Sequence, residues 1–297
     1  MNQPLDRSKR IRRIVLRAVL VLVLLDQLLC WTLATRPAGA IGRFIRVTGR
    51  ETPPYYELKP QLEEHYESWG KGNVSSVRVN PLGFRGKEHE VNKGVGVKRV
   101  VIAGDSIAFG IGVDDGQSFP AKLEDLARET GQSNVEVWNA GVPGYAMLDL
   151  LGDLERRLLG LKPDLVILQL SRNDSAVPMP LSDFFLKLIR FSGWARVWMI
   201  YRFNFVEDEA AFINAFERYV EACEKAGVKL IVAYEGIPNA SRTKVLETLK
   251  NKGITAVEIG GDAYPKLPDD PHYNVEGNKN VAVRLWGEVE RELTLTK

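Results

Sequence analysis

Two short stretches hold the residues whose types and spacing could do nucleophilic chemistry: Gly104-Asp105-Ser106, and Asp269-Asp270-Pro271-His272 near the C-terminus. A serine hydroxyl attacks a carbonyl only when a nearby base takes its proton, and imidazole is the usual base. The chain has three histidines, His65, His89 and His272. The first two lie in the charged segments Glu-Glu-His-Tyr-Glu and Lys-Glu-His-Glu and read as solvated. That leaves His272 as the base. Asp269 precedes it by three residues, a separation that one turn of chain can close. A carboxylate on Nδ1 would fix the tautomer and leave Nε2 to accept the serine proton. Taken alone, each stretch also reads as ordinary structure: a turn with a helix cap, and an exposed loop.

Two further stretches supply hydrogen-bond donors. These are Asn139-Ala140-Gly141-Val142-Pro143-Gly144, followed by Tyr145, and Ser171-Arg172-Asn173-Asp174. A glycine lets backbone approach a ligand closely and aim an N–H at it. An asparagine amide can donate as well, and such donors stabilise the oxyanion of acyl transfer.

All four stretches must be positioned by the elements before them. From residue 98 onwards, short β-branched runs alternate with helical patterns. The runs are Lys98–Ala103, Val135–Asn139, Leu165–Leu170, Lys229–Tyr234 and Ile254–Ile259. The helical patterns fall near 118–130, 147–160, 208–226, 241–252 and 275–293. Strict alternation predicts βαβ units and a parallel sheet covered on both faces. Each candidate stretch follows one of the runs, and ligands in such sheets bind beyond the carboxyl ends of the strands. A helix beginning at Ser106 would add backbone N–H groups and partial positive charge.

The four blocks, in this order, resemble those of the SGNH hydrolases, also called GDSL esterases and lipases, over about residues 98–290. The resemblance implies a three-layer α/β/α flavodoxin-like domain on a five-stranded parallel sheet, with no metal and no organic cofactor. It implies Ser106 as nucleophile, His272 as base and Asp269 as the acid that orients it. The oxyanion hole it implies is formed by Ser106, Gly144 and Asn173. Ser171 stands where the family usually has glycine. Neither a Gly-x-Ser-x-Gly elbow nor a P-loop occurs in the chain. Asn80-x-x-Gly83-x-Arg85, together with the N-terminal segment described next, is similar to membrane-anchored bacterial members.

Ile14–Leu33 is apolar except for Arg17, Asp26, Gln27 and Thr32, and its length suits a bilayer core of about 30 Å. Asp26 costs roughly 2.5–3.5 kcal/mol at the centre of a span, which thirteen Leu, Ile and Val residues offset. The expected organisation is a basic cytoplasmic terminus (1–13), a transmembrane anchor contacting lipid (14–34), a membrane-proximal lead-in (35–97) and the hydrolase domain (98–297). Six basic residues by position 17 favour an exported, periplasmic body. A cleaved signal peptide ending near Ala38-Gly39-Ala40 is the competing expectation.

Of 297 residues, 40 are basic and 38 acidic. Beyond residue 17 the count is 34 basic against 37 acidic, so a basic nucleic-acid-binding body is excluded. Cys30 and Cys223 cannot form a disulfide framework. In segment 180–206, Phe184, Leu188, Phe191, Trp194, Trp198, Tyr201 and Phe205 recur at helical spacing. Such a stripe most simply packs on the sheet; a lid or acyl-chain wall is its functional alternative. The expected activity is hydrolysis of a small acyl or carbohydrate ester. Acyl transfer or deacetylation on an envelope polysaccharide is the alternative, and a non-catalytic glycan- or partner-binding module ranks behind both.

Overall fold

The computed structural model describes residues 5–34, 44–67, 74–178, 188, 192, 194–195 and 206–295. Its centre is a sheet of five parallel strands: β5 (Lys98–Gly104), β6 (Val135–Gly141), β7 (Leu165–Leu170), β8 (Lys229–Tyr234) and β9 (Thr255–Glu258). In space they run β6-β5-β7-β8-β9, the doubly wound flavodoxin-like order. The chain leaves β5 towards β6 on one side and returns to β7 on the other, so the strand order reverses at the carboxyl end of β5. All six residues of β7 are buried, as expected for a strand covered on both faces.

Between the strands lie α2 (Ser106–Phe109), α3 (Phe119–Glu129), α4 (Met147–Asp153), α5 (Glu209–Lys225) and α6 (Arg242–Asn251). The last helix, α7 (Val275–Leu293), follows β9. The helix expected over 147–160 leaves regular α geometry at Asp153 and continues as a π turn, Leu154–Leu158. Alternate strand residues face opposite layers. Val100 and Ile102 pack with Phe119 and Leu123 of α3 and Leu285 and Val289 of α7. Val101 and Ala103 face Leu150 of α4 and Phe216 and Tyr219 of α5.

Residues 35–97, in which the sequence shows little periodicity, contain two antiparallel pairs: β1 (Ile45–Val47) with β2 (Tyr56–Leu58), and β3 (Leu62–Glu67) with β4 (Val74–Val79). These strands are short and half-exposed, which is why no long pattern announces them. Phe44, Tyr56, Leu58, Val79 and Phe84 are nonetheless part of the main core. Arg85 forms isolated bridges with both Val79 and Asn139, joining the lead-in to the β6 edge of the sheet.

Helix α1 (Leu5–Ala34) occupies the segment expected as the anchor. Among the described residues, no helix is long and apolar enough to cross a membrane. Large apolar side chains along α1 are exposed, from 45% at Leu25 to 70% at Leu16. Asp26 has partners: its Oδ1 accepts from the Ser192 hydroxyl at 3.0 Å and the Trp194 N–H at 2.9 Å. Most of the expected aromatic stripe lies outside the described residues. Within them, Leu188 (37%) and Trp194 (54%) are exposed rather than packed on the sheet.

Candidate active site

Ser106 is the first residue of α2, directly beyond the carboxyl end of β5. Asp105 caps this helix, its Oδ1 accepting from the Ile107 N–H at 2.8 Å. The helix is a single four-residue turn, so the dipole expected from a longer helix is small. Two features hold it in place. At Gly141 on β6 an added Cβ would come within 2.2 Å of the Phe109 nitrogen, so only glycine allows this approach. At its C-terminal end the buried Arg85 guanidinium donates from Nη1 to the Phe109 carbonyl (2.6 Å) and from Nη2 to the Val113 carbonyl (2.6 Å), and lies 4.7 Å from the centre of the Phe109 ring.

His272 enters from the segment between β9 and α7. The chain there folds into a narrow loop, with the Leu267 N–H donating to the His272 carbonyl at 2.9 Å and Lys266 bridging Tyr273. Asn274 caps α7 by accepting from the Gly277 N–H. This places His272 Nε2 2.8 Å from Ser106 Oγ. Its Nδ1 faces Asp270 Oδ1 at 2.5 Å, and the same oxygen accepts from the His272 backbone N–H at 2.9 Å.

The carboxylate on the histidine is therefore Asp270, not the expected Asp269. The expectation borrowed a helical spacing of three, but the segment is a tight turn in which the Asp270 N–H donates to the Leu267 carbonyl. Asp269 sits at the turn's apex with φ 56° and is exposed, whereas the Asp270 side chain is fully buried. With a proton on Nδ1 directed at Asp270, Nε2 is left to accept from the serine hydroxyl.

Beneath the serine lies a polar floor that the sequence reading did not find. Gln169, fully buried on β7, accepts at Oε1 from the Asp105 and Ala108 N–H groups, both at 3.2 Å, and donates to Ser171 Oγ at 2.9 Å. The Ser171 hydroxyl in turn donates to Asp105 Oδ2 at 2.8 Å. The residue that departs from the family's glycine thus ties the Ser106 turn to the loop after β7. Burial pushes the Asp105 carboxyl up, against the pull of the Ile107 N–H, the Ser171 hydroxyl and His272. Asp174 Oδ2 accepts from the Ser171 N–H at 2.7 Å, and burial followed by the charge of Asp105 pushes its pKa well above the carboxylate range.

The two other expected residues lie on adjoining loops. Gly144 follows β6 in the turn Val142–Tyr145, closed by the Tyr145 N–H on the Val142 carbonyl at 3.1 Å. Its φ of 82° with proline before it is the signature of a type II turn. Asn173 follows β7 and is exposed. The two loops are joined by the Met147 N–H donating to the Asp174 carbonyl at 3.1 Å.

His89 is not the solvated residue expected. Its side chain is buried against Trp138, with Nε2 3.1 Å from Glu124 Oε2. Of the His65 side chain the described residues say nothing. A cavity of about 570 Å³ lies beside these residues, lined by Arg78, Arg85, Glu124 and Asn139, and includes none of Ser106, Asp270 and His272. Among the described residues, no cluster of three or more His, Cys, Asp or Glu could hold a metal ion.

Residues 102–279 match the model of the GDSL-like lipase/acylhydrolase family, more than half of the chain. Similar solved structures include the psychrotrophic esterase EstA from a Pseudoalteromonas species. It is 15% identical, with a TM-score of 0.49, over 66% of this chain and 99% of that one. A carbohydrate acetylesterase family member from Sinorhizobium meliloti is 15% identical, with a TM-score of 0.45, over 67% of this chain and all of that one. An acetyl xylan esterase is 18% identical, with a TM-score of 0.47, over 64% and 99%. No curated protein matches the sequence.

Proposed function

The chain belongs to the GDSL-like lipase/acylhydrolase family of SGNH hydrolases and is a carboxylic ester hydrolase, and from that premise we propose that Ser106, His272 and Asp270 are its catalytic relay. The observation that carries this reading is the unbroken line of contacts from Ser106 Oγ through the imidazole to a buried carboxylate. Ser106 Oγ attacks the ester carbonyl carbon while His272 Nε2 takes its proton. Asp270 holds the Nδ1–H and stabilises the imidazolium. As the tetrahedral intermediate collapses, His272 returns the proton to the departing alcohol. Water then attacks the acyl-enzyme with His272 again as base, releasing the acid and restoring Ser106. The Ser106 and Gly144 N–H groups and the Asn173 amide receive the oxyanion. Their support is position: all three follow adjoining strands at the carboxyl edge of the sheet.

The substrate class we assign is a small acyl ester, including acetyl esters of carbohydrate. Acyl transfer to a sugar acceptor would use the same acyl-enzyme. Hydrolysis of p-nitrophenyl acetate by wild type, Ser106→Ala and His272→Ala tests the chemistry. The two variants should lose turnover while keeping the fold, and substantial turnover by either would overturn the assignment. Product analysis with a sugar acceptor present separates hydrolysis from transfer.

We further propose that α1 holds the enzyme at a lipid surface, with residues 98–297 as the catalytic domain outside the cytoplasm. Apolar side chains exposed all round the helix, after a basic run at Arg7–Arg13, support this. Flotation with anionic vesicles that fails to carry the full chain, or carries a chain lacking residues 1–34 equally well, would overturn it.

A further inference from the structure

The turn that carries Gly144 is held from behind by a residue of the lead-in. The Tyr56 hydroxyl, on β2, donates to the Pro143 carbonyl at 3.2 Å, and the Tyr145 hydroxyl donates to the Tyr56 carbonyl at 2.7 Å. The two rings meet edge to face, 5.3 Å between centres, and both residues are buried. The Pro143 carbonyl and the Gly144 N–H belong to one peptide unit. In a trans peptide they point in opposite directions, so fixing the carbonyl also fixes the N–H.

This peptide is the one that distinguishes two turn types. With proline at the second position and glycine at the third, the same four residues can close a type I or a type II turn, and the two differ by a flip of this central peptide. The observed glycine φ of 82° belongs to type II. A flip to type I would carry the Pro143 carbonyl away from Tyr56 and reverse the N–H. We propose that Tyr56 is a positioning residue for the oxyanion hole: its hydroxyl locks the Pro143–Gly144 peptide so that the Gly144 N–H faces the reacting carbonyl. The inference rests on the assignment of Gly144 as an oxyanion donor. A hydrogen bond at the carbonyl also polarises the peptide and strengthens its N–H as a donor. Burial, followed by the charges of Asp149 and Asp105, pushes the Tyr56 hydroxyl well above its ordinary range.

The decisive variant is Tyr56→Phe, which keeps the ring in its packing and removes only the hydroxyl. Turnover of p-nitrophenyl acetate, normalised to active serine titrated with a fluorophosphonate, should show kcat reduced about threefold to tenfold. KM and the pH midpoint should be unchanged, because neither substrate docking nor His272 is touched. The Ki of a trifluoromethyl ketone, which forms a tetrahedral oxyanion on the serine, should rise by the same factor. Asn173→Ala, measured in parallel, reports on the hole itself with an expected loss of about 10²–10³ in kcat. If Asn173→Ala is impaired but Tyr56→Phe matches wild type, the role of Tyr56 is overturned and the oxyanion reading stands. If Asn173→Ala is itself unimpaired, the oxyanion reading falls and this inference falls with it.

Discussion

His272 Nε2 lies 2.8 Å from Ser106 Oγ although 166 residues separate them in the chain. Neither residue reaches the other by local folding. Ser106 is delivered by β5, at the point where the strand order reverses, and His272 by the loop after β9 at the far edge of the sheet. The sheet's parallel register sets the distance, and the variants below test what fixes each half of the pair.

The carboxylates at 269 and 270 separate cleanly. Asp270→Asn leaves the shape but no longer fixes the imidazole tautomer, and kcat should fall by about 10³–10⁴. Asp269→Asn should stay within about twofold of wild type, since Asp269 is exposed at a turn apex. The reverse ranking in steady-state kinetics would restore Asp269 as the acid.

Arg85 closes the C-terminal end of the Ser106–Phe109 turn from the lead-in. Arg85→Met would leave the buried Gly110 and Val113 carbonyls without the guanidinium donor, at about 1–3 kcal/mol for each unsatisfied group, while the Phe109 carbonyl keeps the Asn139 amide. Thermal unfolding should show a loss of roughly 3–5 kcal/mol. A melting temperature equal to wild type would show that the clamp contributes nothing.

Ser171→Gly restores the residue usual in the family and removes the hydroxyl between Gln169 and Asp105. Loss of a hydrogen bond to a carboxylate should reduce stability by about 1–2 kcal/mol. Because no reacting group is lost, kcat should stay within a few-fold. A drop of a hundredfold in kcat would mean that Ser171 acts on the chemistry directly.

Asp149, wholly buried on α4, is pushed up to about 7 by burial, against the Ala146 N–H and reinforced by the charge of Asp153. An unfolded aspartate titrates near 3.9, so between about pH 4 and pH 7 the folded chain keeps a proton that the unfolded chain has lost. Wild-type stability should therefore fall as pH rises through that window and level off above it. Asp149→Asn has no proton to keep. Its stability relative to wild type should grow by up to about 1.4 kcal/mol per pH unit across the window. Chemical denaturation giving parallel curves for the two proteins would contradict this.

The parallel sheet and the serine–histidine pair were readable from the sequence because their signals are local. Buried strands such as β5 carry unbroken apolar runs (Val100–Ala103), Ser106 follows directly on that one, and His272 lies in the segment after the last strand. Sequence spacing does not show which aspartate meets the imidazole, because neighbouring aspartates differ only in backbone conformation, and φ 56° at residue 269 is set by the turn rather than by residue type. Gln169 and Tyr56 were not found because each acts through long-range contacts: Gln169 from inside an apolar strand, Tyr56 across 87 residues. Asn80-x-x-Gly83-x-Arg85 was visible as a motif, but its purpose appears only once Arg85 is seen on the carbonyls behind the serine.

The central claim is that Ser106 is a nucleophile activated by His272. Labelling the full chain with a fluorophosphonate and locating the adduct by peptide mass spectrometry tests it most directly. A single adduct on Ser106, abolished in Ser106→Ala and strongly slowed in His272→Ala, is the predicted result. No adduct on folded protein, or an adduct on another residue, would contradict it.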